Sequence, residues 1–457
     1  MGRADPARRA AYDVLKAVRV DQAYTNLALS GALDRGGVNG RDAAFATELT
    51  SGTIRWQGLY DAVISACLDR PIVRVQPKVL DALRLGCHQL LSMRVPAHAA
   101  ISTTVDLVRS EVGPGASGFV NAVLRRISAH RRDAWVRRVA PDRARDPVGF
   151  AATAYSHPRW VVEALGEALA ASGRRDELEA LLVADNEPPA VTLVARPGRA
   201  TLDELPGGPT RFSPYGVVST GGNPGEVAAV AERRAGVQDE GSQLVAHALA
   251  AASVHGADQR WLDLCAGPGG KAALLAALAA ARGALLVAND RLAHRAELVR
   301  RALADAPGVE AVTVEDGTTP PWPDGSFDRV LVDAPCTGLG ALRRRPEARW
   351  RRRAEDLQDL VPLQRRLLER ALDLTRPGGV VLYATCSPAL AETRDVVRSL
   401  LVGRDDAKLA DAGALLTRRS GLLADVPDCG GPVTGTVQLW PHRHRTDAMF
   451  LALLHRS

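Results

Sequence analysis

Residues 261–281 constrain the chain more than any other stretch. Trp261 and Leu262 begin a short apolar run. Asp263-Leu264-Cys265-Ala266-Gly267-Pro268-Gly269-Gly270-Lys271 follows, and Ala272 to Ala281 is almost pure helix former, with Leu274, Leu275 and Leu278 as its larger apolar residues. The order is strand, tight glycine turn, helix. Glycines at such a turn let a ligand approach the backbone and leave the helix N-terminus open as a polar binding edge. The spacing is not the six-residue dinucleotide fingerprint, and Lys271 is not preceded by the four free positions of a P-loop. The turn by itself therefore leaves its ligand open.

Downstream, the pattern repeats. Trp261–Leu264, Ala284–Ala288, Ala311–Val314, Arg329–Val332 and Val380–Ala384 read as strands. Gln243–Ala252, Lys271–Ala281, Ala293–Ala304, Glu355–Leu374 and Glu392–Leu401 read as helices. Strands alternating with helices predict an α/β domain with a parallel sheet covered on both faces, here over residues 237–457. Val437–Leu439 and Met449–Leu454 are expected to pair antiparallel at the sheet edge.

Upstream, the text is helical. Ala10–Val20, Asp42–Ile54, Leu59–Leu68, Val79–Leu91, His98–Glu111 and Gly118–Ala129 carry apolar residues at helical spacing, separated by Gly36-Gly37, Pro71, Pro77, Pro96 and Gly113-Pro114-Gly115. Residues 1–133 are expected to be an all-α bundle. Residues 134–236 are expected to hold a linker and a small α/β module, in which Pro158–Ala171 and Leu178–Val183 are helices and Pro188–Arg196 alternates like a strand.

Composition bounds the classes open to such a chain. With 457 residues and 46% hydrophobic content it can build two or three real cores. Aromatics are only 4%, so packing leans on Ala, Leu and Val. A net charge of +6 is compatible with a nucleic-acid partner. Six cysteines, none spaced as a CxxC pair, argue against a disulfide scaffold or structural zinc and suit a reduced, cytoplasmic protein. No metal, membrane span or secretory signal is expected.

Ligands of a doubly wound sheet sit beyond the carboxyl ends of its strands. Asp263, Asp290, Asp316 and Asp333 all fall there. One such carboxylate is ordinary, because Asp favours turns and helix starts. Four in succession around one glycine turn describe a pocket for an adenosine-bearing cofactor, with Asp290 suited to a ribose diol and Asp316 to an adenine amino group. Cys336, in Asp333-Ala334-Pro335-Cys336, and Cys386, in Thr385-Cys386-Ser387, follow the fourth and fifth strands and open on the same face. A strand-end thiol near a helix start can be more acidic and nucleophilic than a core cysteine. The residues themselves do not rank the two.

The motifs Asp-Leu-Cys-Ala-Gly-Pro-Gly-Gly-Lys, Asp-Ala-Pro-Cys-Thr-Gly and Thr-Cys-Ser together resemble those of the Sun-type RNA cytosine-5 methyltransferases. The helical N-terminal part resembles the NusB-like domain of the bacterial small-subunit ribosomal RNA members. Val237-Gln238-Asp239-Glu240-Gly241-Ser242-Gln243 and Gly118-Phe119-Val120-Asn121 support the match. The resemblance implies a Rossmann-like class I methyltransferase domain after a NusB-like RNA-binding bundle, S-adenosyl-L-methionine as cofactor and small-subunit ribosomal RNA as partner. It also implies roles. Cys265, Ala266, Gly267, Pro268, Gly269, Gly270 and Lys271 would line the cofactor pocket, with Asp290, Asp316 and Asp333, and Asp333 would be catalytic too, facing both the methionine and the target base. Cys386 would attack carbon 6 of a cytosine, and Cys336 would assist release. Gly267 stands where Ala is usual and Ala272 where Thr is common; both are expected to be tolerated. Ala448 and Met449 depart from the usual Thr-Asp-Gly-Phe-Phe.

Arg343, Arg344, Arg345 and Arg349 belong to an Arg-rich run around Trp350, directly after the Cys336 loop. They are expected to contact RNA phosphates, with Trp350 as a packing residue. His442 and His444 are expected at the surface or facing RNA rather than on a metal. The chain is expected to act as a monomer. Two rival readings remain: a transfer RNA cytosine-5 methyltransferase, and a non-catalytic RNA-binding factor built on the bundle.

Overall fold

The computed structural model describes residues 5–457. It resolves into two compact units: one takes the chain up to Glu163 with Asp185–Glu187 and Leu342–Arg352, the other takes Ala164–Ala184, Pro188–Ala341 and Arg353–Ser457.

The first unit is helical. Pro6–Val20, Gly40–Arg55, Gln57–Ala66, Pro77–Leu91, Ala97–Glu111 and Ser117–Ser128 realise the expected helices. Their apolar stripes meet in one core of Leu49, Tyr60, Ile64, Leu83, Val108 and Leu124, all fully buried. Thr25–Gly36 is a further helix that periodicity did not predict, because it buries only the thin stripe Thr25, Leu29 and Ala32 and leaves Leu27 in solvent. Residues 131–150, whose Arg-rich text reads as a linker or as an exposed helix and loop, hold helix and loop. Arg132–Val139 and Pro147–Ala154 are short helices; Trp135 donates to the Ile127 carbonyl, and Asp146 caps the Gly149 N–H at 2.9 Å.

The Leu342–Arg352 segment corrects part of the expected RNA contact. Arg349 has no exposed surface. Its guanidinium donates to the carbonyls of Arg55, Ser156 and Asp185 and to the Asn186 side-chain oxygen, at 2.8–3.2 Å. Burial lowers it to about 9, so it still carries its charge at neutral pH, spread over carbonyl dipoles. Arg343 is also buried, and its carbonyl accepts from Arg55. Neither side chain is placed to meet a phosphate. Trp350 packs on the helical core and donates to the Ile54 carbonyl, as a packing residue would. Arg344 is half-buried and Arg345 exposed, its guanidinium 5.5 Å from the half-exposed Tyr24 ring.

The second unit carries two sheets. Strands β1 (Thr192–Ala195), β2 (Gly207–Pro209), β3 (Gly216–Ser219) and β4 (Ala235–Val237) form an antiparallel sheet in the order β2-β3-β1-β4. The larger sheet contains β5 (Arg260–Asp263), β6 (Leu285–Asn289), β7 (Val309–Thr313), β8 (Phe327–Asp333), β9 (Thr375–Thr385), β10 (Ala407–Ala410), β11 (Val437–Gln438) and β12 (Phe450–Arg456). Its order is β10-β12-β9-β8-β5-β6-β7, with β11 on β12. Pairs among β5 to β9 are parallel; β12 is antiparallel to β9 and β10. β11 and β12 pair antiparallel as expected, but β12 is not the edge. β10 covers it, a strand too short and too mixed (Ala-Lys-Leu-Ala) to announce itself.

The chain fills the sheet outward from β5 through β6 and β7 on one side and from β8 on the other, so the β5–β8 junction is the switch point at which an open α/β sheet binds its ligand. Helix Gly270–Ala280 buries every residue from Ala272 to Ala279, which explains its all-apolar text. Gln238 to Gln243 hold the small sheet to this domain. Glu240 accepts from the Phe212 and Ser213 N–H groups, Gln243 from the Ser213 hydroxyl, and Asp239 from the Gly241 and Asp447 N–H groups. His444 is buried rather than at the surface: its Nδ1 accepts from the Trp440 N–H and its Nε2 faces the Pro427 carbonyl. His442 is nearly covered and pairs with Glu177. No helix among the described residues is long and apolar enough to cross a membrane.

Candidate active site

β5 ends at Asp263, and the chain turns over Gly267 and Gly269 into helix Gly270–Ala280. Gly269 has φ +110, a left-handed conformation that favours glycine, and an added Cβ would lie 2.8 Å from Ala302 Cβ. Asn289, at the end of β6, ties three strand ends together. Its amide donates to the Leu264 and Glu315 carbonyls, and its oxygen accepts from Thr313 and the Glu315 N–H. The loops after β5, β6 and β7 are thereby held in one arrangement.

The four strand-end carboxylates have different environments. Asp263 is fully buried, and its pKa is pushed up to about 8, first by burial and then by Asp333; Lys271 opposes the shift. Asp290 is buried; its Oδ2 accepts from the Gly267 N–H at 3.0 Å and its Oδ1 from the Leu292 N–H at 2.9 Å. Asp316 is exposed, and Oδ1 accepts from the N–H and hydroxyl of Thr318, which holds its carboxyl below the ordinary value. Asp333, last residue of β8, receives the Lys271 ammonium at 2.9 Å. Burial alone would lower Lys271, but Asp333 outweighs it and the net shift is upward.

The two thiols meet. Cys336 Sγ lies 3.4 Å from Cys386 Sγ, although 50 residues separate them. Contact with Cys386 and then burial raise the Cys336 thiol well above its ordinary value. Burial, followed by the nearby carboxylates, does the same to Cys265, so the third cysteine of the site is a poor nucleophile.

Pattern reading missed the groups beneath these thiols. Glu392, fully buried, accepts from the Thr337 N–H at 2.8 Å, from the Thr337 hydroxyl and from Gln364 Nε2 at 3.0 Å. The only signal was a lone Glu six residues after Cys386, at what looked like a helix start. Among the described residues, no group of three or more His, Cys, Asp or Glu is placed to hold a metal ion.

A glycine turn at the switch point, flanked by strand-end carboxylates and a final antiparallel strand, defines a Rossmann-like methyltransferase domain. The comparisons agree. A family model described as 16S rRNA methyltransferase RsmB/F matches residues 252–455, and the NusB family model matches residues 5–129. A Mycobacterium tuberculosis protein named as a methyltransferase is 52% identical over 456 residues, 99% of this chain and 97% of that one. The ribosomal RNA small subunit methyltransferase B of Pseudomonas putida is 35% identical over 424 residues, 88% of this chain and 91% of that one. The crystal structure of PH0851 has the same fold, with TM-score 0.80 at 24% identity over 99% of both chains. This chain belongs to the RsmB/F family of ribosomal RNA methyltransferases.

Proposed function

We propose that the chain transfers a methyl group from S-adenosyl-L-methionine to carbon 5 of a cytosine in small-subunit ribosomal RNA, acting in the cytoplasm as a monomer. The observation that carries the proposal is the Cys336–Cys386 pair, two thiols in contact at the ends of adjacent parallel strands. Carbon 5 of a cytosine is a poor nucleophile until something adds to carbon 6, and a thiolate is suited to that addition.

The residues fit an adenosine-bearing cofactor. Asp290 and Asp316 each spend hydrogen-bond capacity on local N–H groups, but a carboxylate has about four lone-pair sites and both retain some. Cys265 to Gly270 offer backbone, and Lys271 and Asp333 a charge pair, around the buried Asp263 carboxyl, whose two oxygens lack a well-formed hydrogen bond. When bound, the cofactor supplies an electrophilic methyl group.

The protein supplies the rest. Cys386 gives its proton to water and its sulfur bonds to carbon 6, which moves the carbon 5–carbon 6 electron pair onto carbon 5. Once carbon 5 carries the methyl group, its remaining proton must leave as the carbon–sulfur bond breaks. Cys336, whose sulfur lies 3.4 Å from Cys386 Sγ, is placed to take that proton once its own has passed to water. Asp333, held by Lys271, would orient the ring. Arg344 and Arg345 remain the candidates for phosphate contact.

The test is methyl transfer from labelled S-adenosyl-L-methionine to small-subunit ribosomal RNA and to transfer RNA, with nucleosides identified by mass spectrometry. 5-Methylcytosine in the ribosomal arm supports the proposal. Product only in the transfer RNA arm, or none in either, overturns it.

A further inference from the structure

A buried carboxylate beneath the two thiols does something that pattern alone does not explain. Glu392 has no exposed surface, yet three donors converge on it: the Thr337 N–H, the Thr337 hydroxyl and Gln364 Nε2. Gln364, on helix Leu357–Leu374, also donates to the Pro335 carbonyl at 2.8 Å. Pro335 and Thr337 flank Cys336, so the network grips both neighbours of that thiol.

The same network reaches the other thiol. Thr337 Oγ1 is 3.0 Å from Ser387 Oγ, and Ser387 follows Cys386. The Thr337 hydroxyl donates to Glu392 Oε2, and a hydroxyl has one proton, so Ser387 must give its own to Thr337. The hydroxyls point in one direction, from the Cys386 loop through the Cys336 loop to the carboxylate. A second strap, Gly340 N–H to the Cys386 carbonyl at 2.8 Å, joins the same loops. The Tyr383 hydroxyl donates to the Glu392 carbonyl at 2.7 Å and fixes the backbone at the carboxylate itself. Burying a carboxyl group is expensive unless it is hydrogen-bonded, and here three donors meet it.

We infer that Glu392 is a positioning residue that sets the separation of the two thiols. It acts through Thr337, whose N–H and hydroxyl hold the Cys336 loop against the Cys386 loop. Its importance to the reaction rests on the proposed roles of the two cysteines; its effect on their separation does not.

The test therefore reads proximity directly. Diamide accepts two electrons and two protons as two thiols become a disulfide, and the rate of the Cys336–Cys386 cross-link, followed by mass spectrometry, reports how often the sulfurs meet. The wild-type protein should cross-link readily. Glu392→Ala and Thr337→Val should cross-link at least about tenfold more slowly, because small misplacements of oriented groups are costly in rate. Their melting temperatures should stay cooperative, and Thr337→Ser, which keeps the hydroxyl, should restore the rate. Should Glu392→Ala not fold, Thr337→Val decides. Variants that cross-link at the wild-type rate, or a wild type that does not cross-link, overturn the inference. Slow cross-linking in the variants beside a wild type that makes no 5-methylcytosine would sustain it while overturning the proposed reaction.

Discussion

Lys271 Nζ stands 2.9 Å from Asp333 Oδ2, joining the first turn of the helix after the glycines to the last residue of β8. The helix follows β5, and β5 and β8 are neighbours at the switch point, so the contact is a direct product of strand order. Asp333→Asn removes the charge that offsets the Lys271 ammonium. We expect kcat/KM to fall by about a hundredfold or more, with a further change small when Lys271→Met is added. Steady-state rates of the two single variants and the double variant measure the coupling; additive losses would show that the pair does not act as a unit.

Asp263 predicts a pH dependence of stability. Its carboxyl is near 3.8 in an ordinary setting and about 8 in the fold. A value raised by folding means the folded chain holds the proton more tightly. The associated stability is complete below about pH 4 and is lost as pH rises toward 8. Melting temperatures between pH 5 and pH 8.5 should fall in the wild type and fall less in Asp263→Asn. Parallel curves would contradict the assignment.

Arg349 and Arg345 should separate cleanly. Arg349→Ala leaves four buried acceptors without their donor and should destabilise the helical unit by about 3 kcal/mol or more, read by urea unfolding. Arg345→Ala, at an exposed site, should leave stability unchanged. If Arg345 meets a phosphate, its loss should reduce the salt dependence of RNA affinity by about one ion.

Gly267→Ala tests the expectation that alanine is tolerated in the turn. A Cβ there would lie 2.3 Å from Asp290 Oδ2 and 2.8 Å from Arg295 Nε, so Asp290 must give up its bond to the Gly267 N–H. One hydrogen bond to a charged group corresponds to about tenfold in affinity. Calorimetric titration with S-adenosyl-L-methionine should show that loss, and an unchanged Kd would mean that Asp290 adjusts freely.

Much of this was readable from residue order. β5, the glycine turn and its helix were visible because apolar run, glycines and helix formers follow one another, and β6, β8 and β9 because buried parallel strands are nearly all apolar. β10 and the helix Thr25–Gly36 were not, since each buries too few large residues to leave a period. Arg349 was misread because an arginine run looks solvated, and nothing in the run marks the one member whose partners are carbonyls from residues 55, 156 and 185. Glu392 was hidden for the same reason. Its partners, Thr337 and Gln364, lie 55 and 28 residues away, and only the packing of β8 beside β9 brings them together.

In the proposed reaction the two thiols have different tasks, Cys386 in attack and Cys336 in release. The most direct measurement incubates Cys336→Ala and Cys386→Ala separately with small-subunit ribosomal RNA and S-adenosyl-L-methionine, then resolves them on denaturing gels. Cys336→Ala should accumulate a protein–RNA adduct with methylated cytosine at the linkage, and Cys386→Ala should form neither adduct nor product. An adduct on Cys386→Ala and none on Cys336→Ala would reverse the assignment, and an active Cys386→Ala enzyme would contradict covalent attack by that residue.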